Sequence, residues 1–205
     1  MIGKEMTREI NSLTTAENLA KAVSKAKKRG LPPVHKWNPP FQGKIDMRIT
    51  RQGTWLYNGT PINRPAMVKL FSTILRRDGD RYYLVTPVEK VEIDVDDAPF
   101  AAIDFEAAGE GRDQIVMFET NVGDKVMAGS GHPIRLRIGE NDKAAIPYIL
   151  IRDNLEAIVD RKSYFRLIDI CMVHGDWFGL WSDGMFFRFA RSDETGEWQP
   201  FDFKC

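Results

Sequence analysis

The stretch TWLYNGTPINRPAMVKLFSTILRRDGD, residues 54–80, decides the fold class. Trp55, Leu56 and Tyr57 read as a strand. Asn58-Gly59 reads as a two-residue hairpin turn, because both residues tolerate positive φ, and Thr60-Pro61-Ile62 as the short return. Asn63 has the chemistry of a helix N-cap, and Pro65 stands where a first helical turn has no use for an N–H. Met67, Val68, Leu70, Phe71, Ile74 and Leu75 then recur with a 3.6-residue period, which predicts a helix over 65–77. A hairpin feeding one amphipathic helix makes this an α+β chain.

The segments on either side extend that reading. Tyr82 to Thr86 and the alternating Val91, Ile93 and Val95 are strands, and further strands are expected over 101–107, 113–119, 122–128, 134–138 and 148–152. Glycine-bearing turns at 109–111, 129–131 and 139–142 separate them, and links this short predict antiparallel pairing. A helix is expected over 160–173, with Tyr164, Leu167, Ile168 and Cys171 on one face, followed by a hairpin from Trp177 to Phe189. The hairpin FGLWSDGMFF (178–187) echoes TWLYNGTPI (54–62); either a unit is repeated, or both stretches share ordinary hairpin chemistry. Before the opening stretch, Ile45, Met47 and Ile49 form a strand and LPPVHKWNPPFQG (31–43) an irregular linker. Another helix starts at Thr14, whose spacing to Glu17 suits a capping box. The sum is a mostly antiparallel α+β protein with about three helices in two small halves. The expected divisions are an arm and helix over 1–30, an α/β half over 31–97, a second half over 98–190 and a tail over 191–205 that packs back through Trp198, Phe201 and Phe203.

Composition bounds the function. The chain has 205 residues, 43% hydrophobic and 28% charged, which is globular. Two cysteines, Cys171 and Cys205, make no disulfide framework, no apolar run approaches a membrane span, and the charged first residues lack a signal-peptide core. A cytoplasmic location without membrane attachment is expected. The net charge is zero but unevenly spread: residues 1–80 hold 15 Lys/Arg against 6 Asp/Glu, and residues 81–205 hold 14 against 23. Either the oppositely charged halves meet each other or a second copy, as in a homodimer, or the basic half attracts an anion. The basic residues around Lys25 to Arg29 fall at a helix C-terminus, the wrong end for phosphates, so nucleic acid is not expected.

Several chemistries lack their residues. There is no P-loop and no dinucleotide fingerprint. Ser130 in AGSGH lacks the first glycine of a nucleophile elbow. His35, His132 and His174 are scattered; Cys171 with His174 is at most half a zinc site, so no metal and no cofactor are expected. The acidic run over 89–113 reads first as the solvated face of alternating strands.

Two candidate sites remain. In FETNVGDKVMAGSGHPIRL (118–136), Asn121, Asp124, His132 and Arg135 fall on or near loops, where function concentrates, and Arg135 can fork onto a phosphate or carboxylate. The alternative is two turns capped by their own side chains. Around the first hairpin, Arg48, Trp55, Tyr57, Arg64 and Lys90 combine aromatic faces with cations, which suits a flat anion; the alternative is core aromatics beside surface cations.

The blocks from PPVHKWNPPFQG to EKVEIDVDDAPF, then TNVGDKV, HPIRL and PYILIRDNLEAIVDR, resemble a proteobacterial family of uncharacterised proteins, domain-of-unknown-function family 1285, over about residues 32–190. The resemblance implies a repeated α/β motif in two parts, a C-terminal half resembling pleckstrin-homology-like folds, and a nucleotide-like ligand in signalling at the junction of the halves. It brings Tyr148 and Arg152 into the candidate set beside Trp55, Tyr57, Arg64, Lys90, Asn121, Asp124, His132 and Arg135. No catalytic role comes with it. The leading expectation is a non-catalytic module that senses a small anionic ligand, with Arg48, Arg64, Lys90 and Arg135 holding the anion and Trp55, Tyr57 or Tyr148 stacking. The alternatives are a protein-interaction module using Trp177, Phe178, Trp181 and Phe186, and a hydrolase using Asp124 and His132.

Overall fold

The computed structural model describes residues 31–138 and 145–193, with the backbone alone at Ile138. The expected arm and helix over 1–30, the turn at 139–142 and the aromatic tail beyond 193 lie outside the described residues. The chain divides into two compact units: the first takes in residues 31–48 and 55–94, the second residues 49–54 and 95–193. The short segment 49–54, which the sequence assigns to the first half, thus belongs with the second. No helix among the described residues is long and apolar enough to cross a membrane.

The first unit begins with a 3-10 turn, Val34–Lys36, inside what reads as irregular linker. Strand β1 (Phe41–Ile49) starts four residues earlier than the alternation of Ile45, Met47 and Ile49 suggests. Next come β2 (Trp55–Tyr57), β3 (Thr60–Pro61), helix α1 (Pro65–Thr73), β4 (Leu75–Asp78), β5 (Arg81–Val85) and β6 (Lys90–Val95). They build a six-stranded sheet in the order β3-β2-β1-β6-β5-β4. Asn58 (φ 49°) and Gly59 (φ 73°) make the predicted turn. The N-cap of α1 is Arg64, not Asn63; it makes no side-chain cap, and Pro65 opens the helix.

Helix α1 is shorter than its apolar period predicts. The Ser72 and Thr73 hydroxyls donate back to the carbonyls of Lys69 and Leu70, at 2.8 and 2.7 Å, and Ile74 leaves the helical region. Leu75 then pairs across to Leu84, and the Val85 N–H donates to the Ile74 carbonyl. Leu75 suits a helix face and a buried strand equally well, and tertiary pairing selects the strand, leaving Ile74 as the helix C-cap.

The second unit holds β7 (Phe100–Ala108), a 3-10 turn (Gly111–Asp113), β8 (Ile115–Thr120), β9 (Lys125–Met127), β10 (Ile134–Ile138), β11 (Ala145–Arg152), β12 (Leu155–Val159), helix α2 (Arg161–Asp169), β13 (Met172–His174), β14 (Trp177–Ser182) and β15 (Met185–Arg191). Its sheets run β10-β11-β12-β7-β8-β9 and β13-β14-β15. Two strands were not foreseen. β12 is an apolar run hidden before the helix, and it pairs with β7 in parallel, an exception to the expected antiparallel rule. β13 takes residues assigned to the end of the 160–173 helix, which stops at Asp169. The Asp160 carboxylate accepts from the Ser163 N–H at 2.8 Å and fixes the start of α2. With α1, the described residues hold two α-helices, one per unit, in a mostly sheet α+β protein.

Ser182 joins three strands: its hydroxyl donates to the Ala128 carbonyl at 2.7 Å and accepts from the Val116 N–H at 2.9 Å. The Gln114 amide donates to the Trp181 carbonyl at 2.8 Å. These bonds tie the β14–β15 hairpin to the strands around β8, where apolar packing alone would not fix its register.

Candidate functional site

Strand alternation brings charge onto one face of the β10–β11–β12 ladder. Arg135 stands opposite Tyr148, Arg137 opposite Ile146, and Leu150 opposite Glu156. Side chains two apart on a strand share a face, so Arg135, Arg137, Tyr148 and Glu156 meet. Glu156 is 9% exposed and Tyr148 2%. Arg135 grips Glu156 with two parallel N–H bonds, and Arg137 adds a third at 3.1 Å.

Asp97, between β6 and β7, completes the group. It accepts from the Tyr148 hydroxyl at 2.8 Å, from Arg137 at 3.2 Å, and pairs with Arg51 at 3.2 Å. Arg137 thus bridges Asp97 and Glu156, with its guanidinium 4.3 Å from the Tyr148 ring centre; that of Arg135 lies at 5.7 Å. Burial, and then the bond to Asp97, push the Tyr148 phenol pKa up, so it stays a neutral donor at any ordinary pH. The carboxylates lie inside and the cations outside. The side chains of Asp97 and Glu156 are 16% and 11% exposed, against 36%, 36% and 47% for Arg51, Arg137 and Arg135. The two carboxylates therefore hold Arg135 and Arg137 by hydrogen bonds above a buried tyrosine, with Arg51 ion-paired to Asp97 beside them.

The other expected site residues in this unit have different tasks. Asp124 is ion-paired with Arg152, whose guanidinium sits 4.8 Å from the Phe100 ring centre. His132 Nδ1 bonds the Leu150 carbonyl at 2.9 Å. Asp124 and His132 are thus each engaged by a separate partner. The Asn121 amide is spent on backbone, accepting from the Ala101 N–H at 3.1 Å and donating to the Gly53 carbonyl at 2.9 Å, which fastens the 49–54 segment to the unit. Gly123 (φ 77°) and the Thr120 hydroxyl, which accepts from the Asp124 N–H at 3.0 Å, make TNVGD a self-capped turn.

The candidates in the first unit are mostly framework. Trp55 is 2% exposed and stacks on Phe71 with ring centres 6.2 Å apart, so it presents no face to a ligand. Lys90 lies 4.5 Å over the Tyr83 ring and 3.3 Å from Asp78. Arg48 is exposed on β1, Tyr57 half-buried on β2, and Arg64 exposed at the start of α1. Tyr148 cannot stack a base either, being buried beneath two arginines.

Sequence reasoning reached Arg135 and Tyr148 but missed Arg51, Asp97, Arg137 and Glu156. Two signals were present: Arg135 and Arg137 alternate in IRLRI, and Glu156 interrupts the apolar run LEAIV. A lone carboxylate in a strand buried on both sides needs a cation opposite.

Residues 32–98 match the family model described as "Domain of unknown function (DUF1285), N-terminal domain", and residues 99–189 match "Protein of unknown function (DUF1285), C-terminal domain". A crystal structure of a DUF1285 family protein from Silicibacter pomeroyi DSS-3 is 55% identical, with a TM-score of 0.81, and the match covers 87% of this chain and 97% of that one. Another, from Shewanella baltica OS155, is 28% identical with a TM-score of 0.47, covering 60% and 90%. Among curated proteins no match was found. With both family models matched in tandem along most of its length, the chain belongs to the DUF1285 family.

Proposed function

We propose that this protein is a non-catalytic, cytoplasmic binding module, and that the Arg51–Arg135–Arg137 cluster takes a small phosphate-bearing ligand as the input of a signal. The observation that supports this reading most is the way the guanidinium groups are held. Buried Glu156 and partly buried Asp97 hold the Arg135 and Arg137 guanidinium groups by hydrogen bonds, Arg51 is ion-paired to Asp97, and a third to a half of each arginine side chain remains open to solvent. Arginine forks match phosphate oxygens in pairs, and groups already ordered before binding lose little entropy on binding. Tyr148, the aromatic residue beneath the arginines, is buried and offers no open face for a base. The reading therefore commits to the phosphate and not to a base.

A thermal-shift series with pyrophosphate, nucleoside diphosphates and cyclic dinucleotides tests it. Ligand bound only by the folded state raises the melting temperature, by about 2.7 kcal/mol of stability at a hundred times Kd. A shift that grows with ligand and disappears in Arg135→Ala supports the reading. Silence at millimolar concentrations, or a shift that survives in Arg135→Ala, rejects it.

A further inference from the structure

The two units contain the same run of elements: a hairpin, a nine-residue helix, and three antiparallel strands. These are β2, β3, α1, β4, β5, β6 in one and β11, β12, α2, β13, β14, β15 in the other. The register between the first two of these strands agrees residue by residue. Arg76 pairs with Tyr83 and Arg77 with Tyr82; Met172 pairs with Gly179 and Val173 with Phe178. Turns at Gly79 (φ 61°) and Gly175 (φ 60°) follow. β4 and β13 are therefore equivalent, and each is the outer strand of its sheet.

An outer strand presents unpaired backbone groups, and proteins guard such edges with charge or cover. β4 has both. Arg76 donates to the Val34 and Trp37 carbonyls at 3.1 and 2.7 Å, which lays the 3-10 turn against the strand, and Arg77 supplies a second cation. At the same two positions β13 carries Met172 and Val173, which are 42% and 58% exposed. Beside this edge, which no strand or cation among the described residues covers, runs a groove of about 400 Å³, walled by Met172, Trp181 and the backbone at Gly109–Gly111, with Glu110 and Asp169 on its lining. Neither carboxylate has an ion-pair partner among the described residues, whereas the nearby Arg112 is laid over Trp181 at 5.9 Å.

We infer that β13 is a docking edge for an extended segment of another protein, one that alternates apolar residues with Lys or Arg. Backbone bonds to β13 would add a fourth strand, the apolar side chains would enter the groove, and the cations would meet Glu110 and Asp169. Charge decides against a second copy of this chain: two such edges pairing would bring the same acidic residues together.

Fluorescence anisotropy on the full chain tests this with three labelled probes: an eight-residue peptide alternating Val and Lys, its counterpart with Glu for Lys, and a synthetic copy of residues 19–31 of this chain. The Val/Lys probe is expected to bind at least tenfold tighter than the Val/Glu probe. It should lose at least tenfold in Met172→Arg/Val173→Arg, which gives β13 the residues of β4. Both positions are exposed, and an unchanged melting temperature in the variant separates lost docking from lost folding. Equal binding of the Val/Lys and Val/Glu probes, or undiminished binding by the variant, overturns the inference. So does tighter binding of the 19–31 peptide, which would make the occupant this chain's own segment. A dimer in light scattering that the double substitution dissolves overturns it in favour of a second copy.

Discussion

The two repeats differ in how their last three strands are used. In the first unit β4, β5 and β6 complete a six-stranded sheet, and the outer strand is capped by Arg76 and the Val34–Lys36 turn. In the second, β13, β14 and β15 stand as a separate sheet, and the first hairpin of the repeat joins β10 and β7 instead. The first unit spends Arg76 on closing its outer strand. The second gathers arginines on one sheet face, on β10 outside the repeat, and within the repeat leaves an apolar edge that no described residue caps, so the candidate docking edge falls where the second copy of the motif departs from the first.

The sharpest way to break this comparison is to truncate the equivalent core residues of the two helices. Phe71 and Leu167 are both fully buried. Alanine at either is expected to cost about 2–5 kcal/mol in denaturant unfolding, with Phe71 at the upper end. If only one substitution destabilises, the helices are not equivalent supports. Next is Gly179, where β14 bulges. An added Cβ would fall inside the contact distance of the Phe187 carbonyl oxygen and touch the Phe186 ring, whereas Tyr83 occupies the same register in β5 without difficulty. Gly179→Ala should cost about 1–3 kcal/mol. A neutral outcome would mean that the bulge relaxes freely.

Helix capping gives a smaller contrast. Asp160→Ala removes a side-chain cap from α2 and should cost about 1 kcal/mol, while Arg64→Ala removes none from α1 and should stay within about 0.5 kcal/mol. Equal losses in chemical denaturation would contradict the assignment of the caps. The smallest effect is alkaline. Burial raises the phenol pKa of both Tyr148 and Tyr164 in the fold. The folded state then holds protons that the unfolded state has lost, so this contribution is complete below about pH 10 and declines as pH rises above it. Tyr148→Phe should flatten that decline in melting temperature; an unaltered slope would show that Tyr148 does not contribute to it.

Much of the fold was legible because periodicity and turn chemistry agree with it. Asn58-Gly59 and Asp183-Gly184 turn where their residue types say they should, with positive φ at all four. What escaped was decided by tertiary pairing. Leu75 and Met172-Val173 fall within stretches whose apolar period suits a helix and become strands because a partner strand is present. The repeat was sensed through the wrong pair of hairpins: β2–β3 corresponds to β11–β12, not to β14–β15. The candidate site was half legible for a similar reason. Arg135 stands out beside a glycine-rich loop, but Asp97 and Arg51 join it only through folding, across sequence separations that no local pattern reports.

The most direct test of the arginine cluster is nitrogen-15 NMR of the arginine Nε–Hε groups during a pyrophosphate titration. The account predicts that the signals of Arg51, Arg135 and Arg137 move together along one saturable curve while that of Arg188, on β15, stays in place. Uniform drift of all arginine signals, or no movement at the three, would contradict it.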